Sequence, residues 1–220
     1  MERALIIGNS GGIGAAVAAS LAARGVSVTG LSRREHGLDV TDQASVDEVL
    51  NRQDGPFGLV FVASGVLAPE GGQPEKTLDQ IDADAMAEVM AVNAIGPALI
   101  LRHAPRFLPR EGRCVVAVLT ARVGSIGDNG MGGWYAYRAS KAAANQIVHT
   151  AAIEIGRKRK EAVVVALHPG TVATPFTQAY PGHRNVGPEA AADNLLRVID
   201  GLTPAENGGF FDWAGEAVPW

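Results

Sequence analysis

A chain of 220 residues is long enough to bury a substantial core and fits one domain. Its residues are 47% hydrophobic and 19% charged, an ordinary globular composition, and a net charge of −4 with scattered Lys and Arg leaves no basic patch for nucleic acid. The lone Cys114 excludes a disulfide framework and a cysteine-based metal centre, the continuous apolar runs are too short to span a bilayer, and the opening "MERALIIGNS" lacks the regions of a signal peptide, so the expected setting is the cytoplasm, without membrane, nucleic-acid or metal partners.

In chain order, short β-type runs alternate with longer helical stretches. Residues 3–8 read as a strand, 11–25 as a helix ended by Gly25, and 26–32 as a second strand. A helix over 41–53 follows, with Thr41 or Asp42 able to cap it, then a strand over 58–64. Residues 82–108 form a long helix, bent or interrupted near Gly96-Pro97. After a strand over 113–120 comes a long Ala-rich helix over 134–158. A strand over 162–170 is stopped by Pro-Gly, a helix over 188–202 carries Pro188 in its first turn, and a last strand spans 208–213. Cys114 reads as a buried strand residue. The strands are continuous Val/Ile/Leu/Ala runs, the pattern of strands covered on both faces. The expectation is an α/β fold: a single doubly wound Rossmann-type domain over residues 1–220, with a seven-stranded, mainly parallel sheet flanked by helices. Two Gly/Pro-rich loops, 65–77 and 121–133, follow strands, at the edge where ligands bind in such sheets.

"IIGNSGGIGAA" places Gly8, Gly11, Gly12 and Gly14 between the first strand and the first helix. Glycines there let the turn tighten and let backbone N–H groups approach a diphosphate, to which the helix N-terminus adds partial positive charge. The strand–turn–helix context makes this a dinucleotide site. At the end of the second strand, where NAD-binding sites usually carry an acid for the ribose hydroxyls, the chain reads Ser32-Arg33-Arg34. A carboxylate would repel a 2′-phosphate; a guanidinium pairs with it. The expected cofactor is NADP(H), with NAD(H) possible. Asp39 comes after that strand and is assigned to the adenine end.

In "WYAYRASK", Lys141 lies four residues after Tyr137 and six after Tyr135. Four apart shares a helix face; six apart does not. Tyr137 is therefore the partner of Lys141, and Tyr135 a wall or packing residue. A phenol with a pKa near ~10 is a poor acid or base at neutral pH, and a nearby ammonium should favour the phenolate. Such a tyrosine could give a proton to a carbonyl oxygen as hydride arrives at carbon.

"GNSGGIG", "ASG" at 63–65, "NAIG" at 93–96, "YRASK" at 137–141 and "HPGTVAT" at 168–174 together resemble the short-chain dehydrogenase/reductase superfamily, over essentially the whole chain. "RVGSIGDNGMGGWYAYRASKAA" and the ending "GFFDWAGEAVPW" are similar to its carbonyl reductase/C-factor/sniffer-like branch. The resemblance implies that Gly8, Ser10, Gly12, Ile13 and Gly14 cradle the diphosphate, that Asp39 and Val40 flank the adenine, and that Ala63, Ser64 and Gly65 lie by the adenine ribose. It implies that Asn93 holds a water in a proton relay, that Tyr137 is the acid/base, and that Lys141 binds nicotinamide-ribose hydroxyls and lowers the tyrosine pKa. Pro169, Gly170, Val172 and Thr174 would frame the nicotinamide and its phosphate.

One departure stands out. The branch carries Ser-Ser-Arg-Val-Gly-Ser after the fifth strand, and this chain reads "LTARVGS". Thr120 takes the first serine and Ala121 the second, which is the one expected to bind the substrate carbonyl. Thr120 is adjacent but should point to the opposite face; Ser125, 12 residues before Tyr137, is a candidate substitute. The sequence thus allows an NADPH-dependent reductase of an aldehyde or ketone, slow or with Ser125 recruited, and also an NADP(H)-binding signalling or sensor protein that has lost turnover. Residues 175–187, with Phe176 and Tyr180, are expected to form a small lid over a carbonyl or alcohol substrate. The superfamily pairs its long helices, here 82–108 and 134–158, so a homodimer or homotetramer is expected. His168, between a strand and Pro-Gly, reads as structural or near the cofactor, and His36, His103, His149 and His183 show no ligand spacing.

Overall fold

The structure is a computed structural model that describes residues 1–174 and 185–220. The expected lid residues Phe176 and Tyr180 lie outside the described residues. Six of the apolar runs are strands: β1 (Arg3–Ile7), β2 (Ser27–Leu31), β3 (Leu59–Val62), β4 (Cys114–Leu119), β5 (Ala162–His168) and β6 (Phe210–Asp212). They form one sheet in the order β2-β1-β3-β4-β5-β6, every neighbouring pair parallel.

The helices are α1 (Gly12–Ala23), the short α2 (Arg33–His36), α3 (Gln43–Asn51), α4 (Ala83–Met90), α5 (Gly96–Phe107), α6 (Tyr135–Lys158) and α7 (Pro188–Gly201). Strand periodicity divides them between two faces. Leu5, Ile7, Val60, Val62, Val116, Val118 and Val164 pack with α3, α5 and α6, while Ile6, Phe61, Val115, Ala117, Val163 and Val165 pack with α1 and α7. Both faces of β3 and β4 are buried, which is why their sequences do not alternate. β2, at the edge, is partly exposed.

The sheet has six strands rather than the expected seven. Beside β2, only residues 32–42 link the strand to α3, and α2 occupies four of them. A parallel crossover needs about a dozen residues before another strand can begin, so this link cannot lay one down. At the other edge the chain turns back after β6 and adds a single antiparallel bridge, Phe211 to Ala217.

α4 and α5 are joined by a π-turn, Ala91–Ile95. Its cause is local. Pro97 has no N–H to offer the Asn93 carbonyl, so the normal α-helical bond at that point cannot form. The interruption expected at Gly96-Pro97 thus falls one turn earlier, around Asn93. Within the 25-residue stretch Ala83–Phe107, which has the length of a membrane span, an 18-residue window has a mean hydropathy of 1.4, which the reading of apolar runs alone did not reveal. One side of it is built into the core, through Val89, Ala94, Ile100, Ala104 and Phe107. Cys114 is a buried free thiol, as expected, and burial pushes its pKa up.

Candidate active site

Parallel strands all end at one edge, so the segments following β1, β3, β4 and β5 meet there. They enclose a cavity of about 680 Å³. Of the residues singled out in the sequence, Ser10, Gly12, Ile13, Gly14, Ala63, Ser64, Gly65, Tyr137, Lys141, Pro169, Gly170, Val172 and Thr174 line it. Gly8 lies just beneath, and Ser32, Arg33, Arg34, Asp39, Val40, Asn93 and Ser125 are not part of the wall.

The glycine turn forms one end. Gly8 adopts a left-handed φ of 85°, and its carbonyl occupies the space that a Cβ on Gly14 would need. A Cβ on Gly12 would stand 2.7 Å from Thr174 Cγ2. The first turn of α1 carries no acid, and Gly11, its cap residue, has no side chain to satisfy the N–H groups there. Ser64 Oγ is buried with no hydrogen-bond partner among the described residues. Room made by missing side chains, unspent N–H donors and an orphaned hydroxyl fit the phosphate-bearing dinucleotide expected from the sequence.

The end of β2 lies outside the cavity wall. Ser32 is buried and caps α2, accepting the Glu35 N–H at 3.3 Å. Arg33 and Arg34 sit on that exposed helical turn, with Arg34 3.6 Å from Glu35. Asp39 accepts both the N–H and the hydroxyl of Thr41, at 2.9 and 2.6 Å, and those bonds hold its carboxyl below the usual range. Val40 packs on Gly96, where a Cβ would be 3.0 Å away. Asn9, which the sequence reading passed over, fills the space above Gly30 of β2, and its Oδ1 is buried without a partner among the described residues.

At the opposite end Tyr137 and Lys141 share one face of α6, 7% and 4% exposed. Lys141 Nζ donates to the Leu119 carbonyl at 3.2 Å and stands 5.8 Å from the centre of the Tyr137 ring. Tyr135, expected to be a wall or packing residue, is not in the wall. Burial pulls the Lys141 ammonium down to about 8 and pushes the Tyr137 phenol above its ordinary value. The expected lowering of the tyrosine pKa by its lysine is therefore not a property of the protein by itself. Desolvation outweighs the nearby charge and keeps the phenol protonated.

Asn93 is fully buried. Its amide grips the loop after β3, accepting the Val66 N–H and donating to the Val66 carbonyl, both at 2.8 Å, and donates to Ser140 Oγ on α6 at 3.0 Å. It thereby ties the Ala63–Gly65 segment to the Tyr137 helix. Gly65 is the contact point, since a Cβ there would lie 3.3 Å from both Asn93 Oδ1 and Lys141 Nζ.

The third position is confirmed as apolar. Ala121 is 7% exposed and lines the cavity, its methyl group standing where a hydroxyl was expected. Ser125, the candidate substitute, is not in that wall. The 3-10 turn Arg122–Gly124 carries the chain away, and Ser125 Oγ accepts the Asp128 N–H at 3.0 Å, outside the wall. Thr120 Oγ1 and His168 Nδ1 are both buried without partners among the described residues. The two residues are neighbours across β4 and β5, because Leu119 pairs with Leu167 and the Thr120 N–H donates to the Leu167 carbonyl at 2.8 Å. Burial pushes the His168 pKa down to about 4, with Asp212 opposing, so its imidazole is neutral at pH 7.

Four further residues shape this end and were not singled out in the sequence. Arg122 lines the cavity and donates to Asp128 at 2.6 Å. Trp134 stands edge-on to Tyr137, ring centres 6.1 Å apart, and has a φ of 55°, the one left-handed non-glycine among the described residues. For a bulky side chain that conformation costs about 1–2 kcal/mol. Arg138 and Glu75 brace the turn from either side: Arg138 donates to the carbonyls of Gly133, Gly132 and Val123 at 2.9, 3.1 and 3.3 Å, and Glu75 accepts from Trp134 and Ala136. The signal available was "GGW" before "YAYR": two glycines leading a tryptophan into a helix with no local cap.

Comparison with known proteins agrees with this architecture. The profile of the family described as Enoyl-(Acyl carrier protein) reductase matches residues 7–208. The chain is 37% identical over 206 residues to 1-hydroxy-2-glutathionyl-2-methyl-3-butene dehydrogenase of Rhodococcus sp. (strain AD45), covering 92% of this chain and 84% of that protein. It is 41% identical over 152 residues to C-signal of Myxococcus xanthus, covering 65% of this chain and 83% of that one. In fold it is similar to the NADPH-bound carbonyl reductase from chicken fatty liver, with a TM-score of 0.83 at 21% identity over 100% of this chain and 94% of that chain. The matched span and these relatives make the chain a member of the short-chain dehydrogenase/reductase superfamily, similar in sequence to C-signal and in fold to carbonyl reductases.

Proposed function

We propose that the protein is an NADPH-dependent oxidoreductase that reduces an aldehyde or ketone, with Tyr137 as the proton donor. The observation that carries this reading is one cavity that has the glycine turn at one end and the Tyr137–Lys141 pair at the other. The domain is taken as a single doubly wound unit over residues 1–220, which helices on both sheet faces support.

In this reading Gly12, Gly14 and the first turn of α1 hold the diphosphate, and Ser64 takes a ribose contact. A bound NADPH supplies the hydride. Tyr137 keeps its proton at neutral pH because burial disfavours the phenolate, and delivers it to the carbonyl oxygen. Lys141 stands beside Tyr137 and in the ribose region near Gly65, so it orients both. Pro97 offers the Asn93 carbonyl no N–H, and in this reading that carbonyl holds a water behind Lys141. Arg33 and Arg34, on an exposed turn at the end of β2, meet the 2′-phosphate of NADP(H). The exposed Ile95 and Ile153 on the long helices support pairing of two copies there, and the setting is taken as cytoplasmic.

The test is turnover of a panel of aldehydes and ketones with NADPH and with NADH, by the wild type and the Arg33→Ala/Arg34→Ala double variant. The wild type should prefer NADPH. The double variant should raise the KM for NADPH by about 10- to 100-fold and leave that for NADH within about twofold, since charge-assisted phosphate bonds contribute roughly 1.5–3 kcal/mol. A wild type that prefers NADH contradicts the cofactor assignment.

A second reading is a binder or signalling protein with little turnover. The Ala121 methyl in the cavity wall favours it. Tight NADPH binding with no turnover across the panel would decide for it.

A further inference from the structure

Tyr137 is the third residue of α6, so its position depends on how that helix begins. The helix begins in an unusual way. Gly132, Gly133 and Trp134 have φ values of 67°, 65° and 55°, three successive left-handed residues. Trp134 occupies the cap position and offers no side-chain acceptor to the first-turn N–H groups.

The acceptor comes from elsewhere in the chain. Glu75 belongs to the loop after β3, is only 8% exposed, and meets the start of α6 twice. Its carbonyl accepts the Trp134 N–H at 2.5 Å and its carboxylate accepts the Ala136 N–H at 3.2 Å. A buried carboxylate is costly unless its bonds are made, and a helix N-terminus is a favourable place to make them. Arg138 fixes the same turn from the other side through the Gly132 and Gly133 carbonyls. A left-handed tryptophan persists only where its surroundings over-determine it, and these two residues do so, Glu75 through both its carbonyl and its carboxylate.

We propose that Glu75 is the positioning residue for Tyr137: its carboxylate is the N-cap of the Tyr137 helix, supplied in trans by the loop after β3, and it holds the left-handed turn that aims the phenol into the cavity. This rests on the reading of Tyr137 as proton donor. The charge acts as well as the geometry. The ionisable groups around the Tyr137 end are Lys141 and Arg138 on its own helix, Arg122 after β4, His168 on β5 and Glu75. Glu75 is the carboxylate bonded directly to this helix end, so it offsets the positive helix end that would otherwise favour phenolate.

The test uses E75A, E75Q and Tyr137→Phe in the full chain. E75A should lower kcat by about 10- to 100-fold, the scale of an ångström of misplacement, with the NADPH Kd within about twofold of wild type. E75Q keeps an acceptor and should recover most of that loss. In the cofactor-free protein, the tyrosinate absorbance that disappears in Tyr137→Phe reports the phenol directly. E75Q should shift its midpoint to lower pH, and this readout stands even if no carbonyl is turned over. The proposal is overturned if E75A leaves kcat unchanged, if E75A loses NADPH binding in parallel with kcat, or if E75Q neither restores kcat nor moves the tyrosinate midpoint. Absence of wild-type turnover together with a shifted midpoint would instead remove the reductase reading and leave the cap in place.

Discussion

Tyr137→Phe should lower kcat for carbonyl reduction by about 10²–10⁴-fold, the usual worth of a positioned general acid, while the NADPH Kd stays within about twofold of wild type. The substitution removes one hydroxyl and keeps a buried ring of the same shape. The ring still meets Trp134 edge-on, and Lys141 keeps its bond to the Leu119 carbonyl. The loss should therefore fall on kcat and leave the thermal midpoint almost unmoved. The pH profile carries the sign. Burial raises the phenol above its ordinary value, so the protonated donor is present from pH 6 to pH 10 and Tyr137 should impose no titration step within that range. The wild type and Tyr137→Phe should therefore differ by about the same factor across it. Steady-state kinetics from pH 6 to pH 10, with NADPH binding followed by fluorescence, check all three points.

Ala121→Ser should raise kcat/KM by about 10²–10³-fold, the usual worth of one oxyanion donor. The site can accept the change. Ala121 has extended backbone, φ −152° and ψ 146°, borders the cavity, and precedes the turn Arg122–Gly124 without being part of it. A hydroxyl there adds a donor without asking the backbone to move. The Thr120 hydroxyl also borders the cavity and has no partner among the described residues, so it is the other hydroxyl placed to serve as donor. A gain of that size would establish that the natural protein works without a donor its relatives' pattern supplies. Unchanged kinetics would mean that another group already polarises the carbonyl; Ser125 lies outside the cavity wall, whereas Thr120 is in it.

Much of this was legible in advance because it follows from short-range rules. Continuous apolar runs gave the strands to within two residues at each end, and the spacing of Tyr137 and Lys141 gave the shared helix face. The glycine turn was legible because strand, turn and helix are contiguous. What escaped depended on contacts between distant segments. Glu75 and Ala136 are 61 residues apart, and nothing near Glu75 marks it as a helix cap. Ser125 was a reasonable substitute by spacing, but the tight turn after Ala121 redirects it. The seventh strand is absent among the described residues, and the short link between β2 and α3 leaves no room for it beside β2. The direction of the Tyr137 shift was missed because spacing counts neighbours and does not register burial, which here outweighs the lysine. The apolar character of Ala83–Phe107, a stretch read as one long helix from the sequence, was missed because only continuous apolar runs were weighed.

The central claim is that this cavity carries hydride transfer to a carbonyl. It is tested most directly with NADPH bearing deuterium at the hydride-donating nicotinamide carbon, incubated with the protein and a panel of aldehydes and ketones, and mass analysis of the alcohols formed. The account predicts one deuterium on the carbinol carbon of at least one product, formed with the wild type and reduced by about 10²-fold or more with Tyr137→Phe. Tight NADPH binding with no deuterated alcohol from any member of the panel would contradict it.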